Sequence, residues 1–356
     1  MTDLQSALLD WYGEHRRDLP WRRDRTPYRV WLSEIMCQQT RVDTVMPYFE
    51  SFLARWPTVQ ELAAAPVEDV LSMWAGLGYY SRARNLHRAA RAVAAAGRFP
   101  DTVAGLRALP GVGAYTAGAV ASIAAGRDAA VVDGNIERVL TRLVAMAQDP
   151  RSTPGRKAVW AQARALLVAG QAGTWNQALM ELGALVCRPR DPACDECPVV
   201  ADCASHAQGT QLSFPRKAPR KAPLRVTAAC GAWVRDDAVL MGRRPPAGLL
   251  GGLWELPGLD GEGSAQERVA RAFQERCGVV VDRVAPLGQV VHVFTHRHLT
   301  LDVCSVEARG QPRATWYTEL AWLDTERRSS EALSTLARKT LAVVGLDQTP
   351  VGGGPS

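Results

Sequence analysis

Apolar residues recur at helical spacing from the first residues of the chain. Leu4, Leu8, Trp11 and Tyr12 share one face behind Thr2 and Gln5, a pair able to form a capping box, so a helix is expected there. Pro27 opens a second helical pattern that runs through Trp31 to Met36. Alanine-rich helices are predicted at about 61–75 and 82–96, broken by Gly76-Leu77-Gly78. No alternating pattern of strand type occurs in this half, and residues 1–208 read as an all-helical domain. Composition then changes. Residues 209–225 include Phe214-Pro215-Arg216-Lys217-Ala218-Pro219-Arg220-Lys221-Ala222-Pro223, a basic, proline-rich run expected to be an extended linker. Beyond it the pattern is mixed. Val226–Val234, Asp236-Asp237 and Ala238–Gly242 predict a hairpin, with strands near 287–294 and 298–306. Helices are expected at 264–276 and at 330–344, the latter starting near Ser329 or Ser330. Residues 226–346 therefore read as an α+β domain, and the glycine-rich 347–356 as a disordered tail.

A chain of 356 residues is long enough for two domains. Hydrophobic residues at 47% and charged residues at 22% are the balance of a soluble globular protein. No apolar run approaches the roughly 20 residues of a membrane span, and Met-Thr-Asp-Leu-Gln does not open a signal peptide. A cytoplasmic protein without membrane attachment is the expectation. The net charge of +6 suits a polyanionic partner such as nucleic acid.

Cys37, Cys230, Cys277 and Cys304 are scattered among apolar neighbours and read as small buried hydrophobes. Cys187, Cys194, Cys197 and Cys203 differ: four thiols fall within 17 residues, followed after Cys197 by Pro198. Four soft ligands at this spacing point to a metal site. Zinc and iron–sulfur both accept four cysteines, and the single Cys-x-x-Cys pair leans toward a 4Fe-4S cluster.

Leu109-Pro110-Gly111-Val112-Gly113-Ala114-Tyr115-Thr116 lies between two helical patterns. Gly111 and Gly113 let backbone amides point outward at a helix start, where a phosphate can be held without base contact. Asp133, eighteen residues after Tyr115 in Val131-Val132-Asp133-Gly134-Asn135, precedes a helical pattern through Ile136, Val139, Leu140 and Leu143. Its position alone makes it an N-cap. Glu34 shares a helix face with Trp31 and Val30, so its carboxyl is either at the rim of the core or buried with a raised pKa. A buried glutamic acid of that kind can deliver a proton to a leaving base.

The cysteine spacing and the hairpin-plus-aspartate pattern resemble the endonuclease III superfamily of DNA glycosylases. Trp31-Leu32-Ser33-Glu34-Ile35-Met36-Cys37-Gln38-Gln39-Thr40 and Gly76-Leu77-Gly78-Tyr79-Tyr80-Ser81-Arg82-Ala83-Arg84-Asn85 further resemble the adenine DNA glycosylase family, from Trp11 past Trp316. The resemblance implies a multidomain protein, with an all-α helix–hairpin–helix glycosylase domain carrying an iron–sulfur loop at 187–203 and then an α+β Nudix-like domain. It implies that Glu34 protonates adenine at N7 and later activates water, and that Asp133 stabilises an oxocarbenium-like sugar beside Tyr115 and Asn135. Gln39 and Tyr79 are expected as wedges in the base stack, although a packed core aromatic is the other reading of Tyr79. Arg22 and Gln177 are expected near the flipped base. Arg188 and Arg190 are expected on DNA phosphates, solvent exposure being their other reading. Bifunctional relatives carry lysine where this chain has Tyr115, so base removal without strand cleavage is expected.

The second domain resembles a Nudix fold of the MutT type through Gly251-Gly252-Leu253-Trp254-Glu255-Leu256-Pro257-Gly258. Ala272, Arg276 and Ser264 stand where metal-holding carboxylates belong in a working Nudix hydrolase, which argues against nucleotide hydrolysis. The resemblance instead implies recognition of 8-oxoguanine through Phe294-Thr295-His296; the alternative is an ordinary strand end. The expected partner is duplex DNA with adenine opposite 8-oxoguanine or guanine, bound by a nucleoid-associated monomer. A thymine glycosylase acting on G·T mismatches, a non-catalytic iron–sulfur DNA-binding protein and a Nudix hydrolase are the alternatives.

Overall fold

The computed structural model describes residues 1–219, 223–294 and 297–347. Two compact units divide the chain, Met1–Ala65 with Asn85–Arg220, and Pro66–Arg84 with Lys221–Ser356. The helical half is therefore not continuous, as the sequence pattern had implied. Pro66–Arg84 is tied into the second unit: the Tyr80 hydroxyl donates to the Leu333 carbonyl at 3.1 Å, and Arg243 pairs with Glu68 at 3.1 Å.

In the first unit the Asp3–His15 helix begins at the expected capping box, Thr2 N donating to Gln5 Oε1 at 2.8 Å and Gln5 N to Thr2 Oγ1 at 3.3 Å. Pro27–Met36 follows with Pro27 in its first turn and Thr26 as cap. The predicted 61–75 helix is two, Val59–Ala64 and Val67–Met73. Pro66 lies between them; it has no N–H for a continuing helix and disfavours helical geometry at Ala65. The main core forms where Asp3–His15, Gly134–Leu143 and Ala172–Leu185 meet, burying Leu8, Tyr12, Ile136, Leu140, Trp175 and Leu182. Gly183 permits that approach. A Cβ there would lie 2.6 Å from the Asn135 Cβ.

Among the described residues, eight strands build the second unit: β1 Leu224–Ala232, β2 Val234–Arg235, β3 Ala238–Arg243, β4 Trp254–Glu255, β5 Gly258–Asp260, β6 Val280–Phe294, β7 Arg297–Arg309 and β8 Glu319–Leu323. One sheet has the order β5-β1-β7-β6, with β1 and β7 parallel; the other runs β2-β3-β4, with β8 on β3. The expected hairpin from Val226 is thus much smaller. Only Val234 and Arg235 fold back on β3, through Asp236 at φ 54°, while β1 joins the other sheet. Trp233 sits between the two strands, buried against Phe273, and anchors the chain where it changes sheet. β6 and β7 extend beyond their predicted spans, and their pairing continues through two register shifts, between Val281 and Arg283 and between Pro286 and Gly288. The Ala265–Cys277 helix has the Ser264/Glu267 capping box and stops at Gly278, φ 65°. The last predicted helix starts later than Ser329 or Ser330, as Thr335–Val344 with Ser334 as its cap, and a separate short helix, Thr325–Ser330 capped by Asp324, precedes it. Residues 220–222 of the expected linker and 348–356 of the expected tail lie outside the described residues.

Candidate active site

Glu34 lies in the last turn of the Pro27–Met36 helix, half-buried beside Trp31 and Val30, which are buried. Loss of hydration raises its carboxyl, and neighbouring Asp133 adds to the effect. A hydrogen bond with the Tyr115 side chain and the charge of Arg22 oppose them, leaving the group pushed up to about 7. Near neutrality this carboxyl exists in both forms. Tyr115, second residue of the Ala114–Ile123 helix, also donates its hydroxyl to Met180 Sδ at 3.4 Å. Burial and the negative charges of Glu34 and Asp133 push Tyr115 well above the usual phenol range, so it stays neutral.

Asp133 is the N-cap of Gly134–Leu143, its Oδ1 accepting from Ile136 N at 2.7 Å. Burial raises this carboxyl, while hydrogen bonds from Ile136 and Asn135 and the charge of Arg138 hold the rise back. The cap reading and the proximity to Glu34 and Tyr115 therefore hold together. Asn135 Oδ1 accepts from Arg138 Nη2 at 2.9 Å, and Arg138 also donates to the Gly183 and Cys187 carbonyls, each at 2.7 Å. Asn135 is thereby held from behind by a side chain that reaches the cysteine loop.

Arg22 is joined to Glu181, a residue the sequence reading missed. Glu181 is 1% exposed and accepts from both Arg17 and Arg22, at 2.8–3.0 Å on its two oxygens. Burial works to raise its carboxyl, but the two guanidinium groups outweigh it and hold the value at about 2. A carboxylate within the apolar run Ala178-Leu179-Met180-Glu181-Leu182 was the available signal. Arg22 also lies 5.5 Å from the Tyr12 ring centroid. Gln177, one turn earlier on the helix, is buried with Nε2 donating to the Gly173 carbonyl at 3.0 Å. Glu181→Ala leaves two arginines without their buried partner and is expected to destabilise the helical unit by about 3–5 kcal/mol. Denaturant unfolding of the full chain measures this; a loss below about 1 kcal/mol would show that the ion pairs do not anchor the site. Because the folded pKa lies below the ordinary 4.5, this contribution is present above about pH 4.5 and is lost as pH falls toward 2.

The hairpin forms as expected, but its two glycines have different reasons. Gly111 has φ 76°, and a Cβ there would lie 2.6 Å from the Asn85 Cβ. Gly113 is the extended N-cap of Ala114–Ile123, with open space where a Cβ would sit. Gln39 is exposed at φ 58°, a conformation disfavoured for a side chain with a Cβ. In the second unit Tyr79 has φ 49° and is 48% exposed, so it is not a packed core aromatic.

Cys187, Cys194, Cys197 and Cys203 line one cavity of about 30 Å³; Cys194 opens the turn Cys194–Glu196, and Cys197 and Cys203 follow the turns Cys194–Glu196 and Val200–Asp202. Among the described residues, no three His, Cys, Asp or Glu side chains are gathered to hold a metal ion. The loop is fastened by Arg142, another residue not foreseen. At 2% exposure it donates to Cys187 Sγ at 3.3 Å, to the Arg188 and Pro189 carbonyls at 2.7 and 2.9 Å, and to the Gln211 carbonyl at 2.9 Å. Arg188, expected on DNA or in solvent, is committed within the loop, donating to the Asp191 and Leu185 carbonyls and pairing with the Asp191 carboxylate. Arg190 is exposed.

In the second unit Phe294 ends β6 with its ring 4.6 Å from that of His292. Thr295 and His296 lie outside the described residues. Ser264 is a helix cap, Ala272 is buried in the core, and Arg276 stacks 4.0 Å from the Trp316 centroid. The Glu255 carboxylate accepts from Arg244 at 2.7 and 2.8 Å and from the Tyr317 hydroxyl at 3.3 Å.

Residues 32–163 match the HhH-GPD superfamily of base excision DNA repair proteins, and residues 228–343 match the NUDIX domain. An adenine DNA glycosylase of Homo sapiens is 38% identical over 404 aligned residues, covering 96% of this chain and 74% of its own. A solved thermostable thymine-DNA glycosylase shares 30% identity at a TM-score of 0.53, covering 57% of this chain and 95% of its own. Endonuclease III in a trapped covalent intermediate with DNA has the same fold over 59% of this chain and 99% of its own, at 21% identity and a TM-score of 0.50. A helical unit that gathers Glu34, Tyr115 and Asp133, a Nudix-like unit after it, and this identity along nearly the whole length lead to one family: the chain belongs to the adenine DNA glycosylases, enzymes of base excision repair.

Proposed function

We propose that this glycosylase removes adenine opposite 8-oxoguanine or guanine in duplex DNA by hydrolysis alone, leaving the strand uncut. The observation that carries the reading is the cluster of a carboxyl near 7, a neutral tyrosine and a capping aspartate. Protonated Glu34 gives its proton to a ring nitrogen of the flipped adenine, and the glycosidic bond breaks with its electron pair going to the base. The Asp133 carboxylate stabilises the positive charge left on the sugar, with Tyr115 and Asn135 lining that side. Water adds at the anomeric carbon and returns its proton to the Glu34 carboxylate. An imine with the sugar requires an amine at the hairpin, and Tyr115 offers none.

Arg22 and Gln177 border the base pocket in this reading, and Gln39 and Tyr79 fill the stack once the base is out. Backbone amides at Gly111 and Gly113, with Arg190, hold phosphates. Recognition of the opposing base is assigned to the segment Phe294-Thr295-His296. The four cysteines fit a 4Fe-4S cluster: their thiols line one cavity, and Arg142 donates to Cys187 Sγ, as suits a sulfur carrying negative charge. A single zinc ion would need all four sulfurs drawn in to about 2.3 Å. When bound, the cluster would cross-link the 187–203 loop, and Cys187, Cys194, Cys197 and Cys203 would hold it.

Chromatography of the released base, from duplexes with adenine opposite 8-oxoguanine, adenine opposite guanine and thymine opposite guanine, tests the specificity. Adenine is expected from the first two. Thymine from the third with no adenine from the others would support the G·T reading instead.

A further inference from the structure

A groove of about 820 Å³ opens on the helical unit, and none of its lining residues belongs to the site around Glu34 and Asp133. Arg156, Lys157, Trp160 and Arg164 line it from one face of the Thr153–Ala165 helix, at spacings of three and four residues. Arg107 adds a fourth cation from the Val103–Arg107 helix. All four cations are exposed, and none of them forms an ion pair among the described residues. Asp128 is the one carboxylate in the lining, and its Oδ1 already accepts from Gly170 N at 2.9 Å. The Arg164 guanidinium rests 5.7 Å from the Trp160 ring centroid, which holds that charge at the wall.

Four like charges around one concavity repel each other unless an anion fills it. The groove also has a direction. Its lining includes Ala114, the first residue of the helix capped by Gly113, where the reading above places a DNA phosphate. A backbone held at the hairpin amides therefore continues into a run of guanidinium and ammonium groups fixed on helices. This continuity favours DNA over an acidic polypeptide as the occupant.

We propose that the groove holds the sugar–phosphate backbone of duplex DNA flanking the lesion on one side, prolonging the grip of the hairpin. The inference rests on the glycosylase reading and on the hairpin's contact with DNA. Binding of the full chain to labelled duplex, with adenine opposite 8-oxoguanine and about a turn and a half of helix on both sides, tests it by anisotropy across a salt series. Combined Arg156→Ala, Lys157→Ala and Arg164→Ala is expected to weaken binding roughly tenfold or more. The same variant should lower the slope of log affinity against log salt by about three, one for each cation removed. Trimming one particular flank should weaken the wild type to the same degree, after which wild type and variant bind alike.

Equal affinity and equal salt slope for both proteins on the long duplex would overturn the proposal. So would a variant that loses affinity for polyglutamate while keeping it for DNA. The two readings fail differently. A wild type that neither binds the mispaired duplex nor releases base defeats the glycosylase assignment. A wild type that does both, matched by the variant, defeats only the groove.

Discussion

Replacing Glu34 by glutamine is expected to lower the single-turnover rate of adenine release by roughly 10²- to 10⁴-fold, the usual contribution of a positioned general acid. Glutamine keeps the size and polarity of the side chain but has no proton to give at neutral pH. Binding of mispaired DNA should therefore survive the change. The pH dependence follows from the same carboxyl. Burial raises it to about 7, so the protonated form persists to near neutrality and is lost above it. Bound DNA adds negative charge and excludes water, both of which favour the protonated form further. The rate is thus expected to fall about tenfold per unit once pH passes an inflection at about 7 or above. Single-turnover rates between pH 5.5 and 9 check this. A flat profile for the wild type, or a Glu34→Gln rate near wild type, would remove Glu34 from the chemical step.

Asp133→Asn is the second large effect, an expected loss of about 10²- to 10³-fold in the chemical step, as for removal of one preorganised electrostatic partner. The substitution separates the two duties of this residue. Asparagine is as good an N-cap as aspartate, so the bond from Ile136 N, 2.7 Å in the native chain, has an acceptor in the variant too. What disappears is the negative charge facing the sugar. Thermal stability and DNA affinity should stay close to wild type while the rate collapses. Asp133→Ala is the useful contrast: it should lose the rate and also about 1 kcal/mol of stability with the cap. An asparagine variant with near-wild-type single-turnover rate would leave Asp133 a cap and nothing more.

The residues proposed for this chemistry were legible because they sit in short motifs whose local geometry is fixed by neighbours in sequence. Glu34 follows Trp31 on one helical face, Asp133 precedes a helix, and Gly111 and Gly113 frame a turn; each placement needs only a few residues of context. The residues that hold the site in place were not legible. Arg138 and Arg142 look like ordinary charged positions on an amphipathic helix, and for Glu181 the apolar neighbours hint at burial without naming a partner. Their partners are remote: Arg17 and Arg22 for Glu181, the Cys187 carbonyl for Arg138, and the Gln211 carbonyl for Arg142. Burial of a charge is a consequence of how helices meet, and periodicity reports only which face each helix turns inward.

Strand pairing shows the same division. The Ala265–Cys277 helix was foreseen almost to the residue, because its capping box is local. β1 was foreseen as a strand but assigned the wrong neighbour. Alternation identifies a strand, whereas its parallel partner β7 is more than sixty residues away along the chain. β4, β5 and β8, at two, three and five residues, are too short to show a period. The Pro66–Arg84 segment was read with the helical half, since composition gives no sign that Tyr80 will donate to Leu333.

The central claim is hydrolysis of the adenine–sugar bond without strand cleavage, and one measurement tests it most directly. Duplex labelled on the adenine strand, with adenine opposite 8-oxoguanine, is incubated with excess enzyme. Each time point is then divided between a neutral quench and hot alkali. The account predicts an intact strand after the neutral quench and a break at the adenine position after alkali. A break already present at neutral pH, or a covalent protein–DNA adduct trapped by borohydride, would contradict it.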